Sequence, residues 1–100
     1  MNFESPAVEL AYHWLVAQKK TKGVSGKCEK HTLERWANYY ISKDDVLKAL
    51  ELAKLRSDAY PRTNISKRLI KPLFSRIAHI KEAKTMDYQI WEHDYVSNEK

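Results

Sequence analysis

One hundred residues, 43% of them hydrophobic and 11% aromatic, supply a single modest core and too many large apolar side chains for a disordered polymer. Lysine and arginine outnumber aspartate and glutamate 18 to 13, and unevenly: residues 1–84 hold 17 basic against 9 acidic side chains (+8), whereas residues 85–100 hold Lys100 against Asp87, Glu92, Asp94 and Glu99 (−3). The lone Cys28 excludes an internal disulfide, and no run of about 18 apolar residues or signal-peptide pattern occurs, so a cytoplasmic protein without membrane attachment is expected.

Ser5 followed by Pro6 has the form of a helix N-cap and first helical position, and Ala7, Leu10, Ala11, Trp14, Leu15 and Ala17 recur at three-to-four spacing. A first helix over about residues 6 to 20 is predicted. Both glycines, Gly23 and Gly26, fall in the following loop, whose fixed charges are Lys19, Lys20, Lys22, Lys27 and Lys30, opposed by Glu29. "HTLERWANYYI" places Leu33, Trp36, Ala37, Tyr40 and Ile41 on one face of a second helix, about 32 to 41.

Ser42 and Asp45 then have the spacing of a capping box, and Ile41 and Val46 that of a hydrophobic staple. A third helix begins there, supported by Asp44 and Lys48 at i,i+4, and is expected to stop near Ser57 ahead of Pro61. After the turn chemistry of "SDAYPRTN", residues 64 to 81 carry Ile65, Leu69, Ile70, Leu73, Phe74, Ile77 and Ile80 on one arc at 100° per residue. Lys67, Arg68, Lys71 and His79 fill the opposite arc. Because proline inside a helix costs about 3 kcal/mol but little at its first position, the reading is a turn over 64 to 70 and a fourth helix from about Lys71, with a single helix kinked at Pro72 as the rival.

In the tail, Met86, Tyr88 and Ile90 alternate like a strand, while Tyr88, Trp91 and Tyr95 have helical spacing. A helix or an extended arm packed on the core is expected. The fold class is thus all-α: a small bundle of about four helices forming a basic domain over residues 1–84, with an acidic aromatic tail over 85–100 packed on it or mobile.

No phosphate-binding glycine loop, nucleophile elbow or H-E-x-x-H pattern is present, so no catalytic residue is nominated and an enzyme is not expected. Cys28 and His31 have C-x-x-H spacing, but a structural zinc site takes four ligands and His79 and His93 would have to complete it; no metal or cofactor is expected. The stronger signal is electrostatic. Lys19, Lys20, Lys22, Lys27, Lys30, Arg62, Lys67, Arg68 and Lys71 could neutralise phosphates and release counterions, which supplies most sequence-independent affinity for nucleic acid. Tyr39 and Tyr60 are the rings nominated for stacking on unpaired bases, because Trp36 and Tyr40 share the apolar face of the second helix.

The stretch "LERWANYYISKDDVLKALELAKLRSDAYPRTNISKRLIKPLF" resembles the helical C-terminal domain of the DnaD family of primosome proteins. Trp36, the run from Ala49 to Ala53, Arg56, Arg62, Asn64, Ile65, Leu69 and Ile70 fall in places comparable to that family's pattern, over less than half the chain. The resemblance implies a final helix that helps to bind DNA and a role in replication or mobile-element DNA handling. The expected function is therefore non-enzymatic nucleic-acid binding, DNA foremost. The alternative is a protein-binding adaptor or inhibitor acting through the aromatic acidic tail or an exposed helix face.

Overall fold

The computed structural model describes residues 3–24, 26–27, 30–57, 62–80 and 95–99. Helix α1 spans Pro6–Val16, strand β1 Gly26–Lys27, helix α2 Lys30–Ala37 and helix α3 Lys43–Leu52. Strands β2 (Arg62–Thr63) and β3 (Ile70–Lys71), a 3₁₀ turn (Phe74–Arg76) and strand β4 (Ser97–Asn98) follow. The chain is mostly helical, and among the described residues none of its helices is long and apolar enough to cross a membrane.

Local signals account for the helix starts. The Ser5 hydroxyl accepts from the Val8 N–H at 3.3 Å, with Pro6 just inside α1. At α3 the Ser42 hydroxyl accepts from the Asp45 N–H at 3.1 Å while the Asp45 carboxylate accepts from the Ser42 N–H at 3.0 Å, completing the capping box. The helix ends are earlier than periodicity suggests. Helix α1 stops at Val16 because Ala17 caps it and the Gln18 N–H closes a tighter bond to the Leu15 carbonyl.

Helix α2 stops at Ala37 because Asn38 turns left-handed (φ 52°), letting the Tyr39 N–H reach back to the Glu34 carbonyl. Beyond Asn38 the helical phase is lost. Tyr40, expected in the core, is consequently 69% exposed, while Tyr39, nominated for stacking, packs against the core instead. Helix α3 ends in the same way: Lys54 is left-handed (φ 58°), its N–H bonds the Glu51 carbonyl, and the Leu55 N–H bonds that of Leu50. That pair of bonds is a Schellman motif.

The core lies where α1 packs on α3, with α2 alongside. Trp14, Leu10, Leu15, Leu33, Ile41, Val46, Ile65 and Ile77 are its largest fully buried members. Burial of these side chains supplies the dominant favourable term, about 1.5–3 kcal/mol for each large aliphatic group.

Residues 64 to 80 do not form the expected fourth helix. Pro72 disfavours helical backbone at the residue before it, and Lys71 accordingly sits in a strand. Only the 3₁₀ turn and a further i→i+3 bond from Ile80 to Ile77 follow. The inward residues were correctly placed for Ile65, Ile77 and Ile80, which are buried, whereas Leu73 is 44% exposed. Among the described residues there are thus three α-helices and two small ladders rather than an all-α bundle of four; residues 81–94 lie outside the described residues.

Strands β1 and β2 pair antiparallel, Gly26 opposite Thr63 and Lys27 opposite Arg62. Strand β4 pairs parallel with β3, Ile70 opposite Ser97 and Lys71 opposite Asn98. Residues 95–99 therefore lie on the body in extended form, with the Trp14 indole N–H donating to the Tyr95 hydroxyl at 3.0 Å. The Val96 N–H donates to the Leu69 carbonyl, and Arg76 Nε donates to both oxygens of Glu99 at 2.7 and 2.9 Å.

Candidate nucleic-acid interface

Two basic segments far apart in sequence are joined by backbone. Lys20 bridges Ile65 in antiparallel fashion, the Ser66 N–H donates to the Lys19 carbonyl at 2.6 Å, and the Thr21 N–H donates to the Asn64 carbonyl at 2.7 Å. Fully buried Thr63 and Ile65 anchor this strand against the core. Lys19, Lys20 and Lys22 are thereby carried alongside Arg62, Lys67 and Arg68.

Between this bridge and the β1–β2 ladder the register slips by four residues, from Lys20↔Ile65 to Gly26↔Thr63. The chain from Lys22 to Val24 leaves the ladder at this point. Two arginines hold it: Arg62 Nη2 donates to the Val24 carbonyl at 2.9 Å, and Arg56 Nη2 donates to the Lys22 carbonyl. A guanidinium has five N–H donors, so the bond from Arg56 to the Lys22 carbonyl leaves others for an anion. Arg56 and Asn64 are themselves clamped together, since the Arg56 N–H donates to the Asn64 side-chain oxygen at 2.8 Å and the Asn64 N–H returns a bond to the Arg56 carbonyl at 3.1 Å.

Lys19, Lys20, Lys22, Lys67 and Arg68 are all exposed, and among the described residues their side chains form no ion pair with a carboxylate. Exposed cationic side chains at this density create a positive field that attracts polyanions. Lys71, expected at the start of a fourth helix and projecting together with Lys67 and Arg68, is instead half-buried in β3 beside the C-terminal strand. The side chains of Lys27 and Lys30, and Tyr60 altogether, lie outside the described part of the structure.

Arg56 joins the group although charge patterning did not nominate it. Its one signal in the sequence was its place in the stretch that resembles the DnaD family. Elsewhere Lys48 is committed to the Glu4 carboxylate, which raises the lysine pKa, and Arg76 to that of Glu99. His31, which has C-x-x-H spacing with Cys28, pairs with Glu34 at 3.3 Å, and Cys28 and His93 lie outside the described residues.

Comparison of the chain with protein-family models, curated proteins and solved structures returns no match.

Proposed function

We propose that this protein binds nucleic acid, DNA foremost, without catalysing a reaction, through phosphate contacts from Lys19, Lys20, Lys22, Arg56, Arg62, Lys67 and Arg68. The observation that carries this reading is the backbone bridge from Lys20 to Ile65, which gathers the two lysine-rich segments onto one anchored strand pair. Phosphate contacts of this kind position a protein on a duplex or a single strand without reading sequence. The partial resemblance to the DnaD primosome family supports a cytoplasmic role in replication or mobile-element DNA handling.

The test is a salt-titrated binding assay against single- and double-stranded DNA and RNA of mixed sequence. If about five of the cations meet phosphates, log K falls against log salt with a slope of about −4.5, from about 0.9 per duplex phosphate. Absence of binding to every one of these polymers at low salt rejects the proposal.

A second reading, a protein-binding adaptor, is favoured by Val96, 66% exposed on the docked C-terminal segment. Recovery of one stoichiometric protein partner that survives nuclease treatment would support it over the first.

A further inference from the structure

Glu9 and His13 stand four residues apart on α1 and so share one face of the helix. His79 is brought to the same face from the turn after the 3₁₀ helix. Ile77 and Ile80 on either side of that turn are buried, so its backbone is anchored although the His79 side chain is 59% exposed. His79 Nε2 lies 2.7 Å and His13 Nε2 3.5 Å from the same carboxylate oxygen of Glu9. The two imidazole rings stand 5.8 Å apart at 80°, and one donor atom from each of the three residues lies within 4.8 Å of the other two.

We propose that Glu9, His13 and His79 bind a divalent transition-metal ion of the zinc class, joining α1 to the chain segment 77–80. Two imidazole nitrogens and one carboxylate oxygen are the donor types that borderline ions such as Zn²⁺, Co²⁺ and Ni²⁺ accept. Bonds of about 2.0–2.1 Å in tetrahedral geometry set neighbouring donors roughly 3.3 Å apart. The His13–Glu9 separation already matches. The His79–Glu9 contact has to open by roughly 0.6 Å on that basis, which a mostly exposed imidazole accomplishes by a small torsional change. Three protein donors leave a coordination position for water, as in sites that exchange ligands rather than in closed structural ones.

Burial is the main influence on His13 and pushes its pKa down, with His79 and Arg76 adding to the effect and Glu9 opposing it. Phe3 and Tyr12 fix the His13 ring, with centroids at 6.2 and 5.5 Å. Arg76 is the adverse charge, and its guanidinium is already engaged by the Glu99 carboxylate.

Titration of the full chain with ZnCl₂ by calorimetry, and with CoCl₂ by visible absorption, tests the site. The expected result is one ion per chain, a d–d spectrum without thiolate charge transfer, and a Tm that rises with Zn²⁺. His79→Ala, at an exposed position that leaves the core untouched, should weaken binding by more than the about 10–100-fold that loss of a mere supporting group costs, and abolish the Tm rise. Glu9→Gln should weaken it as well, whereas His31→Ala should not. Affinity unchanged in His79→Ala and Glu9→Gln, or a Co²⁺ spectrum dominated by thiolate, overturns the assignment.

Discussion

Gln18 and Ile70 face one another as two strand residues would: the Gln18 side-chain amide donates to the Ile70 carbonyl at 2.8 Å and its oxygen accepts from the Ile70 N–H at 2.8 Å. The same amide nitrogen donates to the Trp14 carbonyl at 3.1 Å. A buried side chain thus serves as a peptide group for β3 and ties it to the end of α1. Gln18→Met keeps the volume but leaves these backbone groups unpaired. It should lower the stability by about 2–3 kcal/mol, read as a reduced urea midpoint at unchanged slope. A midpoint equal to that of the parent would contradict the pairing.

The left-handed Lys54 carries a steric penalty that glycine lacks. Lys54→Gly should therefore stabilise the protein by about 0.5–1 kcal/mol, against the usual direction of glycine substitutions. Chemical denaturation measures it, and a loss of stability would mean that the Schellman end of α3 does not form in solution.

The Glu99 carboxyl is held below the usual carboxylate range, first by its hydrogen bonds from Arg76, with partial burial opposing and the Leu73 N–H assisting. Because the folded pKa is depressed, this contribution is whole above the ordinary glutamate value of about 4.3 and is lost as pH falls through the folded value. The pair is partly exposed, so the contribution is about 1 kcal/mol. The protection factor of the Val96 amide, which is the exchange rate corrected for its intrinsic pH dependence, should fall as pH drops below the ordinary glutamate value. Glu99→Gln should show that lower protection already at neutral pH.

Gly23 has open space where a Cβ would lie, and its φ is not positive. Gly23→Lys should accordingly fold normally and place one more cation next to Lys22. If the proposed interface binds phosphate, affinity at low salt rises and the salt slope steepens by about 1. Lys67→Glu should act in the opposite sense on all sequences alike. Salt-titrated anisotropy with one DNA oligonucleotide resolves both.

Residues with local signals were legible: Ser5 with Pro6, Ser42 with Asp45, and the inward faces of α1 and α3 all follow from chain neighbours. Tyr40 was misplaced because the left-handed Asn38 resets the phase two residues earlier, and asparagine is only a weak marker of that conformation. The stretch after Asn64 was misread because the apolar spacing of Ile65, Ile77 and Ile80 is real, but the β3 backbone is satisfied by residues 97–98 and by Gln18, remote in sequence. The charge excess was visible in composition, whereas the approach of Lys19 and Lys20 to Lys67 and Arg68 depends on a bridge that no periodicity announces. Glu9 and His13 could have been seen as an i,i+4 pair; His79 could not have been joined to them without the turn.

Arg76 stands between two neighbourhoods, bonded to Glu99 on the C-terminal strand and near enough to His13 to depress its basicity. Lifting Glu99 away would strip that guanidinium of its counter-charge and raise the positive potential over the imidazole. By thermodynamic reciprocity, a cation or proton arriving at His13 must in turn alter how firmly the strand is held. The two ends of the chain are therefore electrically acquainted through one side chain, with no moving part between them.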